Sequence, residues 1–147
     1  MIWASNYPAR LKRLTVLQNR ALRIIVNQAR HSSIHLPTDL AFQDTRILKL
    51  EQITIQQTSE FMHKYTNNQL PSSFNNYFKT TSQSNPYPVR SSANYRPIYS
   101  RTNTRRFSIK SAGPKIWNSI PNDIRYLTSF HLFKRRLRAY LIANGMF

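Results

Sequence analysis

Basic and aromatic side chains are interleaved, with no acid between them, over residues 90–115. The basic members are Arg90, Arg96, Arg101, Arg105, Arg106, Lys110 and Lys115, and the aromatic members are Tyr95, Tyr99 and Phe107. Guanidinium groups hold phosphates and rings stack on exposed bases, so this combination is typical of contact with single-stranded nucleic acid or a hybrid duplex. It predicts that phosphates are contacted by Arg96, Arg101, Arg105 and Arg106. It also predicts that bases stack on Tyr95 and Tyr99. Because the spacing is irregular, a disordered basic linker is the alternative interpretation.

A second basic cluster lies near the C-terminus, in the sequence SFHLFKRRLRAYL. Apolar side chains recur there at spacings of three and four residues, which predicts a helix with one apolar face formed by Phe130, Phe133, Leu137, Tyr140 and Leu141. The remaining surface of this helix carries the cations Lys134, Arg135, Arg136 and Arg138. We predict that these cations also contact phosphates, and a solvated helix face is the alternative.

Few residues offer catalytic or metal-binding chemistry. His31 and His35 would align two imidazoles on a helix, but their segment has the composition of a loop and no cysteine is available. The possible carboxylate pairs are not spaced one helical turn apart: Asp39 with Asp44, and Glu51 with Glu60. With only 2 glycines, the chain has no Gly-rich phosphate loop. The sequence predicts no enzyme, no metal and no cofactor, and a small metal-dependent nuclease ranks third among the hypotheses.

The charge balance indicates a polyanionic partner. The chain has 22 Lys and Arg residues, 5 acids and a net charge of +17, and its arginine bias favours nucleic acid over a lipid surface. The absence of cysteine excludes disulfides, thiolate catalysis and Cys-containing zinc sites. No segment approaches the roughly 20 apolar residues of a membrane span, and no signal peptide is recognisable. We therefore expect RNA or DNA as partner, no membrane, and an intracellular location in the nucleus or cytoplasm.

The elements that must position these residues are mostly helices, and the predicted fold class is mainly α, with a short β element and an extended basic linker. Residues 1–78 are expected to form a helical region. Its first helix, within residues 8–27, carries an apolar stripe formed by Leu11, Leu14, Leu17, Ala21, Ile24 and Ile25. We expect this stripe to pack within the protein, and contact with an anionic membrane is the alternative. A longer helix is expected from about Arg46 to Asn67.

The rest of the chain divides into two parts. Residues 79–104 contain several prolines and no helical period, which predicts an extended basic and aromatic linker. Residues 105–147 are expected to form a short strand and a two-helix lobe. The alternation in RRFSIK predicts the strand at Arg105–Lys110, and Gly113–Pro114 indicates a turn into the helix that holds Trp117.

Six phrases follow one another in a recognisable order. They are LQNRALRIIV (17–26), ILKLEQI (47–53), FMHKY (61–65), NNQLPSSFNNYF (67–78), RRFSIKSAGPKIWNSIPNDIR (105–125) and SFHLFKRRLRAYL (129–141). In wording and order they resemble the C-terminal region of the reverse transcriptase polyprotein of LINE-type (non-LTR) retrotransposons, in particular jockey-like elements. The most specific part of the resemblance is GPKIWNSIP, with Trp117 at its centre.

The resemblance implies a segment that follows the polymerase domain of a polyprotein that copies element RNA at a nicked chromosomal target. The adjacent aspartates of such a polymerase and the clustered acids of its endonuclease do not occur here, so no catalytic residue carries over. Met1 stands just before the first helix, which suggests a truncated element copy or a fragmentary gene model. We expect a non-catalytic C-terminal fragment that binds RNA or DNA. The alternative is a structural module that packs against the missing polymerase domain and has no independent activity.

Overall fold

A computed structural model describes residues 8–30, 37–85, 87 and 92–144. Helices make up most of these residues and no sheet occurs among them, which confirms the mainly α fold class. The helices are α1 (Pro8–Arg30), α2 (Thr38–Asp44), α3 (Leu50–Thr66), α4 (Thr81–Ser84), α5 (Asn103–Phe107), α6 (Ile109–Ser119), α7 (Asn122–Arg125) and α8 (Phe130–Asn144), with a 3-10 turn at Ser72–Phe74.

Helix α3 is the centre of the fold, and α6 and α8 pack against it. Met62 of α3 and Trp117 of α6 belong to one buried cluster with three residues of α8. Those three are Phe133, Leu137 and Leu141, which follow at four-residue intervals and are all 0% exposed. The burial of each such side chain contributes about 1.5–3 kcal/mol. The apolar face predicted for the last helix is therefore confirmed.

Polar side chains of α3 add specific bonds to this core. The Gln52 amide donates to the carbonyl of Leu141 at 2.6 Å, and His63 Nε2 donates to the carbonyl of Leu127 at 2.6 Å. The imidazole is fully buried and stacks on Phe133, with 4.3 Å between the ring centroids. Because a buried polar group without a partner is costly, these bonds fix the position of α3 against the C-terminal lobe.

Gly113 marks the closest approach of α6 to α3. A Cβ atom at this position would lie 2.9 Å from Met62 Sδ and 3.5 Å from the Phe78 ring, so a larger residue here would require the Met62 side chain to shift. Gly113 and Pro114 lie inside α6, and both are buried. The turn predicted at these two residues is therefore wrong, because close packing rather than chain reversal explains the glycine.

The short strand predicted at Arg105–Lys110 is also wrong, because α5 ends at Phe107 and α6 begins at Ile109. The carbonyl of Ser108 accepts the backbone N–H groups of Ser111 at 3.0 Å and Ala112 at 2.9 Å, which starts α6. A strand needs a neighbour to pair its backbone groups, and the described part of the chain offers none at these residues. The apparent alternation of RRFSIK arises from a junction between two helices.

The segment predicted to be an extended linker doubles back on itself in its described part. Thr80 and Tyr95 form an isolated antiparallel bridge. On either side of it, Thr81 N–H donates to Asn94 O at 2.8 Å and Arg96 N–H donates to Lys79 O at 2.9 Å. Since residues 79–81 and 94–96 are paired by these bonds, the segment is a folded part of the structure and not a free arm.

The side of helix α1 that packs against the rest of the protein differs from the predicted side. Its buried residues are Leu22 and Val26, which form a second small core with Ala41 and Phe42 of α2. The predicted stripe lies mostly in solvent, where Leu14, Leu17, Ile24 and Ile25 are 48%, 58%, 58% and 50% exposed. We call these four residues together with Ala21 the α1 stripe. Its exposure corrects the expectation that it packs within the chain.

Hydrogen bonds of Gln18 explain the orientation of α1. The Gln18 amide donates to Leu48 O at 2.8 Å, and its side-chain oxygen accepts the Leu50 N–H at 3.0 Å. Leu50 is the first residue of α3, so its N–H has no acceptor within its own helix. Gln18 provides that acceptor and thereby fixes the side of α1 that meets α3.

Candidate nucleic-acid interface

The backbone around Tyr99 is held to α6 at several points. The Asn118 side chain accepts the Tyr95 N–H at 3.1 Å and donates to Tyr95 O at 2.7 Å. Ser111 Oγ donates to Ile98 O at 3.1 Å and lies 3.2 Å from Ser100 Oγ. The residues on both sides of Tyr99 are therefore attached to the same helix, which fixes the backbone that carries its ring.

The side chain of Tyr99 projects from this fixed backbone and is 87% exposed. It lies at the boundary of two grooves, of about 470 Å³ and about 560 Å³, and lines both. Both volumes fall within the range of about 300–1,000 Å³ that is usual for small-ligand pockets. Tyr99 is thus an open aromatic surface that borders two grooves.

Cations line both grooves. Lys79, Arg96 and Lys110 line the first groove. Arg101, Arg106 and Lys115 line the second groove. No acidic side chain lines either groove within the described part of the chain. These six cations and Tyr99 are called the Tyr99 surface below, and this arrangement is chemically suited to a polyanion that carries planar groups.

Lys110 has a defined position in the first groove. Its ammonium lies over the ring of Tyr77, 4.9 Å from the centroid, in a cation–π contact. Such a contact at a partly exposed site contributes about 0.5–1 kcal/mol. It holds the charge at the groove wall and covers one face of Tyr77, so Tyr99 is the tyrosine left open for stacking.

The structure brings together part of the predicted site. Arg96, Tyr99, Arg101 and Arg106 lie on the Tyr99 surface, as just described. Arg105 is exposed in the last turn of α5 but lines neither groove. Arg90, which belongs to the basic run noted in the sequence, lies outside the described residues.

Tyr95 corrects the prediction of two stacking tyrosines, because it is only 8% exposed and belongs to the main core. Its hydroxyl lies 3.1 Å from Thr66 Oγ1, and its ring contacts those of Tyr65 and Phe78. Burial raises the pKa of the Tyr95 phenol, while the hydrogen bond with Thr66 opposes that change. The role of Tyr95 is to anchor the segment that carries Tyr99.

The predicted cations of α8 form a separate group, and two of them interact with the protein itself. Lys134 pairs with Glu60 at 3.4 Å, and Arg138 donates to Arg46 O at 3.1 Å. Arg135 and Arg136 are exposed on the same helix. None of the four lines the grooves at Tyr99 in the described structure, so α8 offers charge without an adjacent open ring.

Lys79 is the member of the site that sequence reasoning missed. It precedes the basic run and reaches the site through the bond from Arg96 N–H to its carbonyl. Nothing in the local sequence signals that pairing, because it joins residues on opposite sides of a chain reversal. Lys110 and Lys115 were visible in the basic run, but only the folding of α6 shows that they face Tyr99.

The described part of the chain contains five carboxylates and two histidines. No group of three His, Asp or Glu side chains there is suitably placed to hold a metal ion. Asp39 pairs with Lys49 at 2.8 Å, and Glu60 accepts from Gln56 at 2.8 Å. His31 and His35 lie outside the described residues.

The described helices include none that is long and apolar enough to cross a membrane. No protein-family model, curated protein or solved structure matches this chain.

Proposed function

We propose that this chain is a non-catalytic C-terminal segment of a LINE-type reverse transcriptase, and that its Tyr99 surface binds the phosphate backbone of RNA or DNA. One observation carries the binding proposal: cations from separate stretches of sequence surround one open tyrosine, and no acid lines the grooves in the described structure. A nucleic-acid partner agrees with a nuclear or cytoplasmic location.

Electrostatics favours a polyanion at this surface. Cations held close together repel one another, and a phosphate backbone relieves that repulsion while it releases its own counterions. If each of the six cations neutralises one phosphate of a single strand, the logarithm of affinity falls with the logarithm of salt concentration with a slope of about −4. Arginine adds a planar fork that fits phosphate oxygens.

The binding proposal is tested by fluorescence anisotropy with end-labelled RNA and DNA between about 50 and 200 mM salt. Replacement of Arg101 and Arg106 by alanine is expected to weaken binding and to reduce the slope by about 1.5. The matched control replaces Lys12 and Arg13 of α1, which are exposed and whose loss changes the net charge equally. Binding that does not depend on salt, or an equal effect of both double variants, would contradict the proposal.

The family proposal is supported by the location of the resembling phrases. GPKIWNSIP supplies the buried Trp117 and the close contact of Gly113 with α3. SFHLFKRRLRAYL includes the residues of α8 that fill the main core. These two phrases thus coincide with packing positions. The test is genomic: a continuous or decayed polymerase reading frame upstream of Met1 supports the proposal, and unrelated sequence there opposes it.

The alternative function, a packing module for a polymerase domain, is favoured by the α1 stripe. Leu14, Leu17, Ile24 and Ile25 are half-exposed along one side of a helix, which is unusual for residues of this type. We expect the isolated chain to self-associate, measured by sedimentation, and the change of Leu17 and Ile24 to glutamine to abolish this association. A monomeric wild-type chain that unfolds cooperatively would oppose this alternative.

A further inference from the structure

We propose that the Tyr99 surface selects single strands, with one unstacked base on the Tyr99 ring and the backbone held by the two cationic grooves that Tyr99 lines. This inference rests on the proposed function, because it assigns a ligand class to the same site. It assigns different tasks to the ring and to the cations, and the two tasks can be measured separately.

The first argument is the rigidity of the support. Ser111 bonds to Ile98 O and lies within hydrogen-bond distance of Ser100, so the residues on both sides of Tyr99 are fixed to α6. Arg96 is fixed in turn to Lys79, and Tyr95 to Asn118. A platform that is already ordered loses little conformational entropy when a ligand binds to it. Tyr99 therefore has the properties of a stacking platform.

The second argument is the contrast between Tyr99 and its aromatic neighbours. Tyr95 is buried, and Tyr77 is covered on one face by the Lys110 ammonium. Of the two tyrosines that line the grooves, Tyr99 is the one whose ring lies in water, 87% exposed. Tyrosine offers a large apolar surface at little entropic cost, which suits it to contact a planar base.

The third argument is the position of the charges. Lys79, Arg96 and Lys110 line one of the two grooves that Tyr99 borders, and Arg101, Arg106 and Lys115 line the other. A single strand that crosses the ring places phosphates in both grooves while one base faces the tyrosine. In a duplex the bases are stacked and paired, so the ring gains no partner and only the cations contribute.

The test compares three ligands in low salt: a single-stranded oligonucleotide with 2-aminopurine at one position, the same sequence as a duplex, and inorganic polyphosphate. We expect 2-aminopurine fluorescence to be quenched when wild-type protein binds the single strand. Tyr99→Leu should weaken single-strand binding about tenfold and leave the other two affinities unchanged. Tyr99→Phe should retain both the affinity and the quenching, because the ring is preserved.

The matched control is Tyr126→Leu, which alters a tyrosine that is 70% exposed at the end of α7 and lines neither groove. It should leave all three affinities unchanged. Single-strand selection is overturned if all three ligands bind without quenching of 2-aminopurine. It is also overturned if Tyr99→Leu lowers the affinity for all three ligands equally. Either result leaves the proposal of backbone binding intact. If the protein binds none of the three ligands, the proposed function itself is refuted. The quenching measurement uses wild-type protein, so it tests base stacking even if a variant unfolds.

Discussion

Helices α1 and α8 carry the same sequence pattern, an apolar stripe beside several arginines, but the protein buries only one of the two stripes. In α8 the stripe is the core, and Phe133, Leu137 and Leu141 have no exposed surface. In α1 the stripe faces outward, and the helix is held instead through Leu22 and Val26. The period of apolar residues thus identifies a helix, but the partner of each helix decides which side is covered.

The largest expected effect is on α8. Phe133→Ala removes a fully buried ring that stacks on His63, so we expect the free energy of unfolding to fall by about 3–5 kcal/mol. Leu17→Ala in the α1 stripe should change it by less than about 0.5 kcal/mol. Urea unfolding followed by circular dichroism measures both. Similar losses for the two variants would show that the α1 stripe is covered after all.

A smaller effect distinguishes the two sides of α1 itself. Leu22 is 2% exposed, and Leu22→Ala should cost about 2–3 kcal/mol, near the lower end for leucine because its core cluster is small. Ile25→Ala, at a position 50% exposed on the same helix, is the control and should be close to neutral. If Ile25→Ala costs more than Leu22→Ala in thermal unfolding, the orientation of α1 described above is incorrect.

The smallest effect concerns the bonds that orient α1. Gln18→Leu leaves Leu48 O and the Leu50 N–H without their partner, and we expect a cost of about 1–2 kcal/mol. Faster hydrogen exchange of the Leu50 amide is the specific measurement. Arg20→Leu, on an exposed position of the same helix, should leave that amide protected. Unchanged exchange at Leu50 in Gln18→Leu would contradict the role given to Gln18.

Local pattern was sufficient for the helices with strong periods. The apolar face of α8 and the buried Trp117 of α6 follow from spacing and side-chain type alone. The basic run also indicated Arg96, Tyr99, Arg101 and Arg106 as site residues, because a run of cations without acids can be recognised directly in the sequence. The helix predictions succeeded because the contacts that determine them lie within one or two turns, whereas nucleic-acid binding by the basic run stays a prediction.

The predictions that differed from the structure depend on contacts between distant residues. The side of α1 that is buried is set by Gln18 and its bonds near the start of α3. The burial of Tyr95 depends on its bonds with Asn118 and Thr66. The position of Lys79 in the site depends on its backbone pairing with Arg96. RRFSIK alternates like a strand, yet it joins two helices. Tertiary contacts overrode local preference at α1, Tyr95 and Lys79, whereas in RRFSIK local bonds from Ser111 and Ala112 to the Ser108 carbonyl start a helix.

If the Tyr99 surface binds a strand as proposed, the hydroxyl of Ser111, which is 1% exposed, links the core to the lifetime of that complex. It bonds to Ile98 and lies beside Ser100, so it restrains the backbone that carries Tyr99 without touching a ligand. Among related complexes, differences in affinity arise mostly in the dissociation rate. Loss of this one buried oxygen would leave every charge in place and the encounter with a polyanion as fast as before, while the bound strand would leave sooner.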